Sequence, residues 1–215
     1  EDNEARAVGV DHLISGSRFS MDRFEFSIPL CGEFNVRNAL GVVAAARHAG
    51  LEDAQIQSAF DTFTGIKRRM EVRGEARGVT VIDDFAHHPT AIRETLRALR
   101  GRFPGRRLWA VFEPRSNTTR RAVFQEELAN ALAGADQILI SAVARLEQIP
   151  ESDRLNPEQL VLALNAETER AAYLPDVPAI VEHIQSRAGE GDVVCVLSNG
   201  GFGGIHERLL DALRV

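Results

Sequence analysis

Two aspartates and two histidines, Asp83, Asp84, His87 and His88, crowd into the stretch DDFAHHP (83–89). Paired carboxylates can bind a metal or hydroxyl groups, and paired histidines can ligate a metal or move protons. A metal site needs three or four converging groups, and adjacent histidines rarely face one ion. The alternative is that these side chains cap the helix that follows and tie the loop down. Two further stretches carry comparable groups. EPRSNTT (113–119) offers Arg115, whose planar fork suits a carboxylate or a phosphate, with Asn117 or Thr118 as a helix cap. SNGGFGG (198–204) lets backbone amides approach an anion, because glycine has no Cβ and the next helix offers its positive end. The same composition also makes a plain tight turn.

Each stretch leaves an apolar run and enters a helical pattern. The apolar runs lie at 79–82, 108–112, 137–141, 171–174 and 193–197; the helical patterns at 90–100, 118–133, 157–165, 177–188 and 204–213. Short continuous apolar strands alternating with helices predict an α/β domain: a Rossmann-like, mostly parallel sheet with helices on both faces. Ligands bind outside the carboxyl ends of such strands, so the fold gathers all three loops at one edge. Upstream, residues 8–30 alternate as β structure, with Phe24, Phe26 and Ile28 on one face. A helix enters near Glu33 and closes at Gly50, and a second runs from Glu52 to Phe60. Phe63–Arg73 breaks the periodicity and carries four cations, Lys67, Arg68, Arg69 and Arg73. It reads as a solvated basic linker at a domain boundary.

Composition narrows the function. The 215 residues are 44% hydrophobic with a net charge of −6, enough for a real core and the wrong sign for general nucleic-acid binding. Lys67 is the only lysine among 25 basic residues, and no G-x-x-x-x-G-K-[ST] phosphate loop is present, so a lysine-based phosphate site has no candidate. Cys31 and Cys195 lie far apart and read as buried thiols in a reducing compartment. With no signal peptide or long apolar segment, the expectation is a soluble, cytoplasmic protein without membrane partners.

The segments GEFNVRNALGVVAAARHAG, FTGIKRRMEVRG, DDFAHHPTAI, FEPRSNTTRR and SNGGFGGIHERLL together resemble the carboxyl-terminal part of the Mur ligases, ATP-dependent amide-forming enzymes of peptidoglycan synthesis. FEPRSNT with SNGGFGGIH favours members that add a preformed peptide. The resemblance implies that residues 1–66 are a smaller α+β remnant of a central ATPase domain and that 67–215 form the acceptor-binding domain. It implies ATP and Mg2+ as cofactors, and UDP-N-acetylmuramate and the murein tripeptide L-alanyl-γ-D-glutamyl-meso-diaminopimelate as substrates, joined through an acyl phosphate in peptidoglycan recycling. Asn35 and Asn38 would lie by the adenine, Arg69 at the phosphates and Asp84 near the ribose. His87 and His88 would be catalytic, close to nucleotide or acceptor. Arg115 would hold an acceptor carboxylate beside Ser116 and Asn117, with Ser198, Asn199 and Phe202 in the acceptor loop. Phe34 stands where relatives usually carry histidine. The phosphate loop, the carbamylated lysine, the magnesium ligands and the UDP-sugar domain are absent from the sequence. The expectation is therefore a truncated ligase, inactive alone, in which DDFAHHP is half a site. The alternatives are another Mur-type ligase such as UDP-N-acetylmuramate–L-alanine ligase, a metal-dependent phosphoesterase using DDFAHHP, or a non-catalytic nucleotide- or peptide-binding module.

Overall fold

The computed structural model describes residues 6–214; residues 1–5 of the expected first domain and Val215 of the second lie outside them. The chain divides into two compact units, one of residues up to 66 with 97–104, the other of 67–96 with 105 onward.

In the first unit an antiparallel meander, β1 (Val8–Leu13), β2 (Gly16–Met21) and β3 (Phe24–Ile28), precedes α1 (Glu33–His48) and α2 (Asp53–Thr62). Phe26 and Ile28 point to one face at period two and bury with Phe19, Val36, Val43 and Ile56. The start of α2 is fixed by a capping box between Glu52 and Gln55. Arg47 ties the end of α1 to Asp53 and to Asp22 at the β2–β3 turn.

The second unit is a six-stranded sheet in the order β4-β5-β9-β6-β7-β8. Its strands are β4 (Glu71–Ala76), β5 (Val79–Asp84), β6 (Leu108–Phe112), β7 (Gln137–Ile140), β8 (Ala171–Tyr173) and β9 (Val193–Leu197). All pairs are parallel except β4 with β5. The helices are α3 (Pro89–Arg102), of which residues up to 96 belong to this unit, α4 (Gln125–Leu132), α5 (Pro157–Leu164), α6 (Val177–Arg187) and α7 (Ile205–Arg214). Side chains alternate along each strand. Val79, Val81, Trp109, Val111, Val194 and Val196 meet Ile180, Ile184, Leu209 and Leu213 of α6 and α7. On the opposite face, Thr95 of α3 bonds to Asp84. The α/β architecture with a mostly parallel, helix-flanked sheet is as the sequence predicts.

Two expectations are corrected. The end of the supposed basic linker is β4, hairpinned to β5 through Arg77 and Gly78, both at positive φ (50° and 71°). It was hidden because an edge strand leaves most of its side chains exposed and its sequence polar. The helical pattern 118–133 is helical only from Ala122, as a short 3-10 turn and then α4. Residues 118–121 are instead held in turns, and Arg121 pairs with Arg154 in an isolated bridge.

At the amino edge of the sheet, Asp192 accepts from Arg107 (2.6 Å), from Trp109 Nε1 (2.9 Å) and from the Gly189 amide (3.0 Å). Burial pushes its carboxyl up, but these donors outweigh it and hold Asp192 below the ordinary value. Among the described residues no helix is long and apolar enough to cross a membrane.

Candidate functional site

Because β5, β9 and β6 are neighbours, the loops that follow them leave one sheet edge side by side. Asp84 is paired with Leu197, and Leu197 with Phe112. Phe85, Ser198 and Glu113 therefore begin their loops on a line, roughly 4.8 Å from strand to strand. The ladder extends into the loops: the Ser198 amide donates to Asp84 O (3.1 Å) and the Glu113 amide to Leu197 O (3.1 Å).

Arg115 lies across the glycine-rich loop. A Cβ built on Gly200 would fall 2.4 Å from its Cδ and Nε, so the absence of a side chain at Gly200 makes this placement possible. Arg115 Nη1 stands 3.6 Å from Oε1 of Glu113, a buried carboxylate. The hydroxyl of Ser198 donates to the other oxygen, Oε2, in a short hydrogen bond and accepts from the Gly200 amide (2.9 Å). Asn199 keeps a buried Oδ1 without a partner. Phe202 sits in the core with Ile205 and Leu209, its backbone at φ 40°. It anchors the loop from beneath.

Arg68 ties the same loop to β5. Its Nη2 donates to Ser198 O and Gly200 O (2.7 Å each), and its Nε stands 3.4 Å from Asp83 Oδ2. Asp83 Oδ1 is 3.4 Å from His206 Nε2 at the start of α7, though neither atom completes a well-directed hydrogen bond. Burial raises the Asp83 carboxyl, but His206, Arg68 and Arg73 together hold it below the ordinary value.

Asp84 points to the other face, and its carboxylate is engaged by the protein itself. Oδ2 accepts from the Met70 amide (2.8 Å), and Oδ1 from the Ala86 amide (2.8 Å) and Thr95 Oγ1 (3.3 Å). Burial outweighs these donors and leaves its pKa raised. The Met70 bond closes a turn in which Arg68 and Met70 both adopt left-handed backbone (φ 60° and 47°). Between them Arg69 is exposed, its guanidinium carbon 5.5 Å from the Phe85 ring centroid.

The two histidines differ. His87 Nδ1 lies 3.0 Å from Phe85 O; a carbonyl can only accept, so Nδ1 carries a proton, and in neutral His87 the lone pair is on Nε2. His88 Nδ1 instead accepts from the Thr90 amide (3.3 Å) at the start of α3, so in neutral His88 the proton sits on Nε2. His88 serves the helix end, as one of the two sequence readings proposed. Four carboxylate and imidazole groups at 83–88 thus do not converge, and among the described residues no set of three or more His, Cys, Asp or Glu side chains is grouped to hold a metal.

In the EPRSNTT loop, Ser116 Oγ meets the Thr119 hydroxyl (2.7 Å) and amide (3.0 Å), and Asn117 Oδ1 accepts from Arg120 (2.6 Å). Asn35 and Asn38 lie on α1 of the first unit; Asn35 is buried with Nδ2 on Cys31 O (2.8 Å), Asn38 is exposed and Phe34 half-buried. The sequence reading passed over Glu113, Arg68, Arg120 and His206. A carboxylate closing the wholly apolar run LWAVF was the available signal for Glu113. Arg68 and Arg120 carried none, since each adjoins another arginine.

A family model described as Mur ligase, glutamate ligase domain, matches residues 68–200. The UDP-N-acetylmuramate–L-alanyl-γ-D-glutamyl-meso-2,6-diaminoheptandioate ligase of Escherichia coli (strain K12) is 44% identical over 185 residues, covering 86% of this chain and 38% of the relative. The crystal structure of a murein peptide ligase from Psychrobacter arcticus matches with a TM-score of 0.71 and 34% identity, over 99% of this chain and 45% of that one. UDP-N-acetylmuramate-alanine ligase from Thermotoga maritima shares the fold, with a TM-score of 0.79 at 20% identity over 95% of this chain and 44% of that one. The chain thus spans less than half the length of these relatives.

Proposed function

The chain belongs to the Mur ligase family, and from that premise we propose that it supplies the acceptor-binding part of an ATP-dependent ligase of peptidoglycan recycling. The reaction joins L-alanyl-γ-D-glutamyl-meso-diaminopimelate to UDP-N-acetylmuramate, with the second unit as the acceptor domain and the first as part of the ATPase domain. The observation that carries this reading is Arg115 laid over Gly200 beside the hydrogen-bonded pair of Glu113 and Ser198. A guanidinium fork held at a glycine-rich loop is a grip for a peptide carboxylate.

The chemistry assigns tasks to the other groups. ATP transfers its γ-phosphoryl group to the muramyl carboxylate, giving an acyl phosphate and ADP. The tripeptide amine attacks the carbonyl carbon, a C–N bond forms, phosphate leaves and the amine gives up a proton. Half-buried His87, with Nδ1 held on Phe85 O and Nε2 left as the basic nitrogen of the neutral ring, accepts that proton. Exposed Arg69 meets phosphate charge, while Asp84 acts by holding the Arg68–Met70 turn. The family resemblance assigns Asn35 and Asn38 to the adenine. Mg2+ is implied by the family, but Asp83 and Asp84 point to opposite faces and the oxygens of Asp84 already accept three hydrogen bonds. These residues do not fit a magnesium cage, and no step is assigned to one. The nucleotide substrates place the reaction in the cytoplasm.

Calorimetry of the chain with the tripeptide tests the reading directly, and saturable binding is expected. A ligase in which this chain replaces the matching 38% of the Escherichia coli relative should ligate tripeptide to UDP-N-acetylmuramate. Absence of tripeptide binding, or manganese-dependent phosphodiester hydrolysis by the chain, would overturn it.

A further inference from the structure

We propose that Arg120 is a positioning residue, a buried clamp that fixes the EPRSNTT loop against residues 141–156 and thereby sets where Arg115 presents its fork. The proposal rests on the acceptor-binding reading above and extends it to a residue that meets no substrate.

Arg120 is only 7% exposed, and its hydrogen-bond acceptors are all neutral. Nη2 donates to Asn117 Oδ1 (2.6 Å); Nη1 donates to Arg145 O (3.1 Å), Gln148 Oε1 (3.2 Å) and Ala144 O (3.4 Å). Nε is buried without a partner. Burying a guanidinium with no carboxylate to neutralise it is costly, so stability alone is a poor reason for this arrangement. What it achieves is geometric, because one planar group reaches two separate segments at once.

The backbone runs the same way. The Arg120 amide donates to Ser116 O (3.1 Å), and its carbonyl accepts from the Leu155 amide (2.9 Å). The Ala144 amide donates to Pro114 O (3.2 Å), one residue from Arg115. Arg145 is left-handed (φ 53°) while its carbonyl meets Nη1; such a conformation in a non-glycine residue persists only where neighbours impose it. Above this stitching, Arg115, Asn117 and Thr118 are exposed. The loop has a fixed floor and a free upper face. Asn117, which the family resemblance puts beside the acceptor, has its oxygen turned to the floor.

The test separates relay from contact. Asn117→Ala removes one arm of the clamp at an exposed position, and Arg120→Lys keeps the charge but cannot span both segments. Each should weaken tripeptide binding, measured by calorimetry on the whole chain, by about five- to tenfold. The double variant should bind no more weakly than the weaker single one, the non-additivity of residues acting through one contact. Asn117→Asp keeps an acceptor for Arg120 and should stay within about twofold of the wild type. Additive losses, or an Asn117→Asp variant as weak as Asn117→Ala, would show that Asn117 touches the peptide and would overturn the proposal. Amide exchange across residues 116–121 gives a reading that needs no ligand. It should accelerate in Asn117→Ala while the melting temperature holds, and unchanged exchange overturns the clamp. Failure of the wild-type chain to bind tripeptide would instead sink the functional reading, with the exchange result still deciding the clamp.

Discussion

Replacing Gly200 by alanine is the sharpest probe of the acceptor grip. The added Cβ would lie 2.4 Å from Arg115 Cδ and Nε and 2.8 Å from Cζ, against the roughly 3.5–4 Å of an ordinary contact. The arginine must therefore shift by about 1 Å or more, out of reach of Glu113 Oε1, now 3.6 Å from Nη1. Gly200 is not among the positive-φ residues, so alanine fits the backbone, and the Arg115 side chain is 40% exposed, so it can swing into solvent. Stability should hardly change, because an exposed ion pair is worth about 0–1 kcal/mol. Binding should suffer. A charge-assisted hydrogen bond contributes about 1.5–3 kcal/mol, so tripeptide affinity should fall by roughly tenfold to a hundredfold. Gly201→Ala, where a Cβ meets nothing within 4 Å, is the matched control. Calorimetry with the tripeptide, alongside a thermal melt of each variant, measures both effects. Undiminished affinity in Gly200→Ala, with its fold intact, would refute the assignment of Arg115 as the carboxylate grip.

Three other outcomes follow from the same contacts. Asp84→Ala strands the Met70 and Ala86 amides and should cost about 2–5 kcal/mol, a melting temperature lower by roughly 5–15 °C; a shift below 2 °C would contradict the account of the strained turn. Asp192 has a depressed folded pKa, so its contribution is complete above the ordinary value of 3.8 and disappears as pH falls below that through the folded value. The wild-type melting temperature should drop steeply over that range, and Asp192→Asn, less stable at neutral pH, should flatten the limb. In a ligating chimaera His87→Ala should lower kcat by about a hundredfold or more without altering the melt, whereas His88→Ala should lower the melt slightly, by about 1 kcal/mol for a lost helix cap, and His88→Asn should restore it.

The parallel sheet was legible because its central strands are buried on both faces and read as unbroken apolar runs. That signal fails at an edge, which is why Glu71–Ala76 passed for a linker. It also fails where a helical period is broken by side-chain bonds: Ser116 and Arg120 bend residues 116–121 into turns that their helix propensities do not foretell. The gathering of three loops followed from strand polarity, and the order β5-β9-β6 brings those three strands together. Sequence pattern could place the loops but not the partners of their side chains. The family resemblance puts Phe202 in the acceptor loop; its side chain is buried, with the backbone turned inward at φ 40° among the glycines.

Adjacency in sequence does not carry a joint task here. Asp83 and Asp84, His87 and His88, and Arg68 and Arg69 each look like pairs with a joint task, and the fold separates the members. Strand alternation sends Asp83 to Arg68 and His206 and sends Asp84 to Met70, Ala86 and Thr95. The histidines carry their protons on different nitrogens because one faces a carbonyl and the other an amide. In the arginine pair Arg68 binds two carbonyls of the neighbouring loop while Arg69 stays exposed. For both the histidines and the arginines, the member bonded to a loop or helix end fixes the backbone from which its neighbour projects. A site built this way cannot be dissected by double substitution of the pair, since one change removes a ligand contact and the other removes the geometry that aims it. Arg69→Ala alone should therefore leave the Ser198–Gly200 loop intact, whereas Arg68→Ala should disturb tripeptide binding through that loop even though Arg68 itself meets no peptide.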